Sequence, residues 1–182
     1  MVSDTLFSGS RWDFLRPKTI PDTLANWLFD SGSLTAKLKA LNPDFEVEVL
    51  RHANGRIYHD EVALLEKDVP CQVREVILRS AGLPVVFARS VIPNADDASL
   101  NALNSIGNQP LGEALFSRSD VTHGPIAVTQ FSAQSNMASF NEELLGSRQA
   151  LWGRRRKFEI TDNPVLVTEV FLSSAPCYKE PA

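Results

Sequence analysis

Three features of this sequence predict an α+β fold built on an antiparallel sheet. Strand-like runs at 45–51, 73–79, 85–92, 154–160 and 165–172 are grouped, with helical spacing before and between the groups instead of a regular strand and helix alternation. Two pairs of these runs are separated by short turn-forming stretches, Ser80-Ala81-Gly82-Leu83-Pro84 and Thr161-Asp162-Asn163-Pro164, which favour antiparallel hairpins. The chain has 182 residues, 43% of them hydrophobic, which suits one core and falls short of two. Residues 1–182 are therefore expected to form a single domain.

The first forty residues read as helical. Pro21 and Asp22 open a segment in which Leu24, Trp27 and Leu28 recur at helical spacing. Ser33 can cap a second helix whose buried stripe is Leu34, Leu38 and Leu41, and Asn42-Pro43 stops it. The runs at 45–51, 73–79 and 85–92 then build a meander. Helical spacing returns over 98–116, broken at Gln109-Pro110, before the closing hairpin of 154–160 and 165–172.

Composition excludes several function classes. A net charge of -4 supplies no long-range attraction to nucleic acid or to an anionic membrane. Asp30, Glu75, Glu169 or a proline interrupts each apolar stretch before it reaches spanning length, and the start, Met1-Val2-Ser3-Asp4-Thr5, is unlike a secretory signal, so a cytoplasmic protein without membrane insertion is expected. Cys71 and Cys177 form no CxxC pair and lack histidines at ligand spacing; they read as unbridged thiols, and no metal is expected. His52, His59 and His123 lie near expected turns with no Ser or Cys nucleophile motif around them, and read as surface residues.

Two ionic residues interrupt the apolar strands. Alternation in Val165-Leu166-Val167-Thr168-Glu169-Val170-Phe171-Leu172 places Glu169 with Val165, Val167 and Phe171. A carboxylate on that face must replace its lost hydration with hydrogen bonds or take up a proton; an edge strand turning Glu169 to water is the plainer arrangement. In Gln72-Val73-Arg74-Glu75-Val76-Ile77-Leu78, Arg74 presents the opposite charge beside Val76 and Leu78. The two could pair with each other, or hold the two polar ends of a small anionic molecule, the guanidinium taking a carboxylate by two points. In Trp152-Gly153-Arg154-Arg155-Arg156-Lys157-Phe158, alternation sends Arg154 and Arg156 to one face and Arg155 and Lys157 to the other, which dilutes any nucleic-acid patch. That run reads as a solvated strand edge, with an arginine entering an anion pocket as the alternative, and Arg89 poses the same choice.

The order of these motifs resembles the bacterial chorismate pyruvate-lyases, which release pyruvate from chorismate and leave 4-hydroxybenzoate. The resemblance runs from Trp27 to Tyr178, through Trp27-Leu28 with Ser33-Leu34-Thr35, Val73-Arg74-Glu75-Val76-Ile77-Leu78, Ala88-Arg89-Ser90-Val91-Ile92-Pro93, Pro110-Leu111-Gly112 with Leu115-Phe116, Leu151-Trp152-Gly153-Arg154-Arg155 and Thr168-Glu169-Val170-Phe171-Leu172. It implies a six-stranded antiparallel sheet under helices, a monomer, and a closed ligand cavity beneath helical flaps. It also implies that Arg74 and Glu169 are the catalytic pair, Arg74 holding the ring carboxylate and Glu169 meeting the 4-hydroxyl. The backbone amides of Leu34 and Leu111 would close over the ligand, with Arg155 or its neighbour Arg154 nearby. Leu34 stands where the family carries methionine, a change of similar volume that a backbone contact tolerates. Between Gly124 and Gln149 this chain is longer than the family pattern. The stretch is polar, Ser132-Ala133-Gln134-Ser135-Asn136 followed by a helix over 140–145, and is expected as an extended surface loop.

The implied partners are chorismate, 4-hydroxybenzoate and pyruvate, the aromatic product being a ring precursor for ubiquinone. The elimination makes the ring aromatic, so the resemblance implies neither a metal nor a redox cofactor. Two routes fit: an internal hydrogen transfer in which the protein supplies orientation, or proton transfer through Glu169. 4-Hydroxybenzoate keeps the groups that Arg74 and Glu169 recognise, so slow release and product inhibition are expected. A related fold also serves small-molecule sensors attached to bacterial transcription regulators, but the first forty residues are short and weakly basic for a DNA-reading module.

Overall fold

The computed structural model describes residues 5–66 and 69–179, so the opening Met1-Val2-Ser3-Asp4 lies outside the described residues. In chain order the elements are α1 (Asp22–Leu28), α2 (Leu34–Leu41), β1 (Phe45–Gly55), α3 (His59–Leu65), β2 (Cys71–Ser80), β3 (Leu83–Pro93), α4 (Ala98–Asn104), α5 (Leu111–Phe116), β4 (Val121–His123), β5 (Ala127–Phe131), α6 (Asn136–Leu145), β6 (Leu151–Ile160) and β7 (Asn163–Phe171), with a 3₁₀ turn at Pro176–Tyr178. All strand pairs are antiparallel, in the order β1-β2-β3-β7-β6-β4. β5 pairs with β6 over residues 151–155 and β4 pairs with it over 158–160, so the two lie in tandem along one edge of β6. Seven strands thus fill the six positions that the resemblance implied.

The hairpins form as their turn residues dictate. Ala81 and Gly82 between β2 and β3 have φ of 51° and 74°, and Thr161 and Asp162 between β6 and β7 have 46° and 64°. Positive φ at both central residues gives a two-residue loop whose twist matches the strands. On the opposite side of the meander, β1 leaves its outer edge without a partner strand among the described residues and carries a bulge between Val49 and Arg51.

The helices are short and depend on packing for their stability. On one face of the sheet, Leu24, Trp27 and Leu28 of α1 with Leu34 and Leu38 of α2 cover Val76, Leu78, Val86, Ala88 and Phe171. Leu100, Leu103, Leu111 and Leu115 of α4 and α5 cover Ile92, Phe158, Val165 and Val167 beside them. The other face packs Leu6, Phe7 and Met137 on Ile77, Phe87 and Val170, and Leu65 on Val91 and Leu166. Each such side chain, fully buried, contributes about 1.5–3 kcal/mol.

Several expectations are corrected. Residues 5–21 form turns and irregular chain with one bridge, Asp13 to Val128, so helix in this region is confined to α1 and α2. Leu41 is 60% exposed, because it is the last residue of α2 and lies a turn beyond the buried Leu38. The segment 124–149 is not an extended surface loop, since it contains β5 and α6. Its polar residues serve as caps: Ser135 Oγ accepts from Ala138 N at 3.1 Å, Gly146 ends α6 at φ 67°, and fully buried Asn141 bonds Ser147 O and Ser173. Cys71 and Cys177 are buried and unbridged, and burial pushes the Cys177 thiol up to about 12. No helix among the described residues is long and apolar enough to cross a membrane.

Candidate active site

Strand register decides which charges meet. Val76, Ala88, Glu169 and Arg154 face one another across β2, β3, β7 and β6; Arg74, Ser90, Val167 and Arg156 form the next row on the same face. Arg74 and Glu169 therefore point to the same side of the sheet, under α1, α2, α4 and α5. From strand spacing and rise, their Cα atoms are about 12 Å apart. The direct ion pair between them does not form.

Glu169 pairs instead with the residue opposite it: Arg154 Nε donates to Glu169 Oε2 at 2.7 Å. Arg154 Nη1 also donates to Trp27 O and Asp30 O, each at 2.9 Å, which fastens the end of α1 to this carboxylate. Arg156 donates from Nε to Gly124 O and from Nη1 to Ser31 O, both at 2.9 Å. Burial and the neighbouring Arg154 cation hold its pKa below that of an ordinary arginine, with Glu169 acting in the opposite direction. Glu169, Arg154, Arg156, Asp30, Gly112 and Phe116 border a cavity of about 30 Å³.

Arg74 is only 2% exposed and lies outside that cavity lining. Its Nη2 donates to Gly107 O and Gln109 O, each at 3.0 Å, in the connection between α4 and α5, and its Nε has no acceptor. Among the described residues no carboxylate pairs with it, and burial lowers its pKa. A buried cation held only by neutral carbonyls lacks the counter-charge that ordinarily offsets burial.

Leu34 and Leu111 are the first residues of α2 and α5, where amides have no intrahelical acceptor. Their side chains belong to the core, while the two helix starts meet: a Cβ on Gly112 would lie 3.7 Å from Thr35 Oγ1. Ser33 caps α2 as expected, its Oγ accepting from Ala36 N at 3.2 Å.

Arg155 borders the same cavity, but its guanidinium is engaged on the opposite face of the sheet. It donates to Asp60 Oδ2 at 2.5 Å and stacks 4.3 Å over the Trp12 ring, so its side chain is directed away from Glu169. Arg89 is on that face too, in a buried network with Glu61 at 2.8 and 3.0 Å and Glu75 at 2.8 Å, over the Tyr58 ring. Burial opposes its charge, but those carboxylates outweigh the effect and raise its pKa. His52 is a half-buried residue within β1, opposite Arg74, and not a turn residue; His59 and His123 are exposed.

The sequence model of the family described as "Chorismate lyase" matches residues 12–181. The chain belongs to the chorismate lyase family. The probable chorismate pyruvate-lyase of Shewanella loihica is 41% identical over 162 residues, covering 87% of this chain and 84% of the relative. That of Idiomarina loihiensis is 38% identical over 160 residues, covering 87% and 83%. Among solved structures, PhnF from Mycobacterium smegmatis superposes with a TM-score of 0.59 at 16% identity, over 79% of this chain and 65% of that one. The ligand-binding domain of a putative GntR-family transcriptional regulator from Bordetella bronchiseptica gives 0.53 at 18%, over 76% and 91%. These two likenesses concern the fold.

In this chorismate lyase family member, the sequence reading leaves Arg154 open against Arg155 and does not single out Arg156. Their signal is nonetheless present. Counting back from the two-residue turn at 161–162 pairs 160 with 163, and hence Arg154 with Glu169.

Proposed function

We propose that the chain is a chorismate pyruvate-lyase that converts chorismate to 4-hydroxybenzoate and pyruvate. The observation that carries this reading is Arg74, a fully buried guanidinium without a carboxylate partner, on the same sheet face as Glu169. The ring carboxylate binds Arg74 in place of the Gly107 and Gln109 carbonyls, and the 4-hydroxyl donates to Glu169, whose other oxygen is fixed by Arg154. Leu34 and Leu111 supply backbone amides from the starts of α2 and α5.

With both ends held, the ring-carbon to oxygen bond of the enolpyruvyl ether breaks and the hydrogen on the hydroxyl-bearing ring carbon passes, directly or through Glu169, to the enol methylene, which becomes the methyl of pyruvate and leaves an aromatic ring. A cavity of about 30 Å³ accommodates water but not a six-membered ring, so α2, α5 and the chain before α5 must move for binding and release. The protein acts in the cytoplasm as a monomer, with no nucleic-acid partner.

The test is to mix the purified chain with chorismate in the presence of a metal chelator and follow pyruvate and 4-hydroxybenzoate. Equal release of both is expected. Chorismate binding without pyruvate would mark a sensor, and abolition by chelation with rescue by one divalent ion would overturn the metal-independent reading.

A further inference from the structure

The cavity beside Glu169 contains a second cation whose charge is unmatched. The nearby carboxylates are already engaged: Glu169 by Arg154, and Asp30 by Lys37 at 2.7 Å. Arg156 borders the same cavity, half-buried, and both of its acceptors, Gly124 O and Ser31 O, are neutral carbonyls. Among the described residues it has no carboxylate partner.

Arg74 has the same character at the other end of the same row. Arg74, Ser90, Val167 and Arg156 stand opposite one another on β2, β3, β7 and β6, three strand spacings or about 14 Å from end to end. One unmatched buried guanidinium suits a monocarboxylate. Two, one buried and one half-buried, on the same face three strands apart, suit a dicarboxylate once the helices above them open to admit a ring.

We propose that Arg156 binds the second carboxylate of the substrate, the one carried on the enolpyruvyl ether, while Arg74 holds the ring carboxylate. This inference rests on the chorismate pyruvate-lyase reading of the site. The two carbonyl bonds hold the Arg156 guanidinium in place before the ligand arrives, so little rotamer freedom is lost on binding. Cleavage divides the two-point hold, because each product has one carboxylate. Arg156 thereby makes the site prefer substrate over 4-hydroxybenzoate.

The test is calorimetric titration of three aromatic probes that cannot react: 4-hydroxybenzoate, its 3-methoxy derivative and its 3-carboxymethoxy derivative. Wild type is expected to bind the carboxymethoxy probe about 10–100-fold tighter than the methoxy probe. In Arg156→Gln that ratio should fall to near unity while 4-hydroxybenzoate affinity stays within about twofold, and Arg156→Lys should keep part of the ratio. Arg74→Ala should weaken all three probes. The inference is overturned if wild type shows no preference for the dicarboxylate, a result that needs no variant to fold, or if the preference survives Arg156→Gln. Failure of the lyase reading registers separately, as a wild-type chain that prefers the dicarboxylate yet releases no pyruvate from chorismate.

Discussion

Lys39 Nζ reaches both carboxylate oxygens of Glu113, at 2.8 and 3.0 Å, and so joins α2 to α5 across 74 positions of the chain. Both side chains are about two-fifths exposed, 41% and 39%, so the pair contributes about 0.2–1 kcal/mol, weakened by salt. That is minor for the fold as a whole, but it bears directly on separation of the two helices whose first residues are Leu34 and Leu111. Lys39→Ala should change stability by less than about 1 kcal/mol and yet weaken inhibition by 4-hydroxybenzoate. Progress curves with added product check this. Unchanged inhibition in the variant would remove α2 and α5 from the role of flaps.

Arg74→Ala and Arg155→Ala should separate cleanly, because the two arginines lie on opposite faces. Loss of the Arg74 contact should weaken 4-hydroxybenzoate binding by about 10–100-fold. Arg155→Ala breaks a partly exposed pair with Asp60 and a stack on Trp12, costing about 1–2 kcal/mol of stability with ligand affinity nearly unchanged. Titration and denaturant unfolding of both variants give the answer; equal losses of affinity would contradict the register argument.

Glu169→Gln keeps an acceptor for the hydroxyl and removes the charge facing Arg154. If Glu169 orients the ring, KM should rise and kcat should fall by less than the about 10²–10⁴-fold attached to a lost general base. Steady-state kinetics of the variant decide, and a fall of that size in kcat at unchanged KM would assign Glu169 the proton.

Ala81 adopts a φ of 51°, a left-handed conformation in which its Cβ is a burden. Ala81→Gly should raise stability by about 0.5–1 kcal/mol, read as a higher denaturant midpoint at constant slope, with activity unaltered. A lower midpoint would show that the turn is set by contacts other than backbone preference.

Alternation alone reveals that Arg74 and Glu169 share a face, since a period of two fixes sides before any partner is known. It also separates Arg154 from Arg155. Which of those two guanidinium groups meets Glu169 depends on the pairing of β6 with β7, which alternation alone leaves open between Arg154 and Arg155. The helix expected over 140–145 is the second half of α6; its first turn is obscured for a different reason, because Ser135 and Asn136 read as loop residues, whereas one caps the helix and the other follows the cap. β4 and β5 are too short, three and five residues, to show a period against their polar surroundings. The partnership of Arg74 with the Gly107 and Gln109 carbonyls joins positions 33 and 35 residues apart and leaves no local trace.

β4 and β5 line one edge of β6 over 158–160 and 151–155, while at the other end of the strand order the outer side of β1 has no partner strand among the described residues. That margin is a poor template for strand addition. The bulge between Val49 and Arg51 interrupts its hydrogen-bond ladder, and the charged pair of Glu48 with Arg79, at 2.7 Å, together with Glu46 puts ionic side chains where another backbone would dock. Concentrated solutions of the folded chain should therefore resist edge-to-edge aggregation, and straightening β1 by deleting Leu50 should promote it.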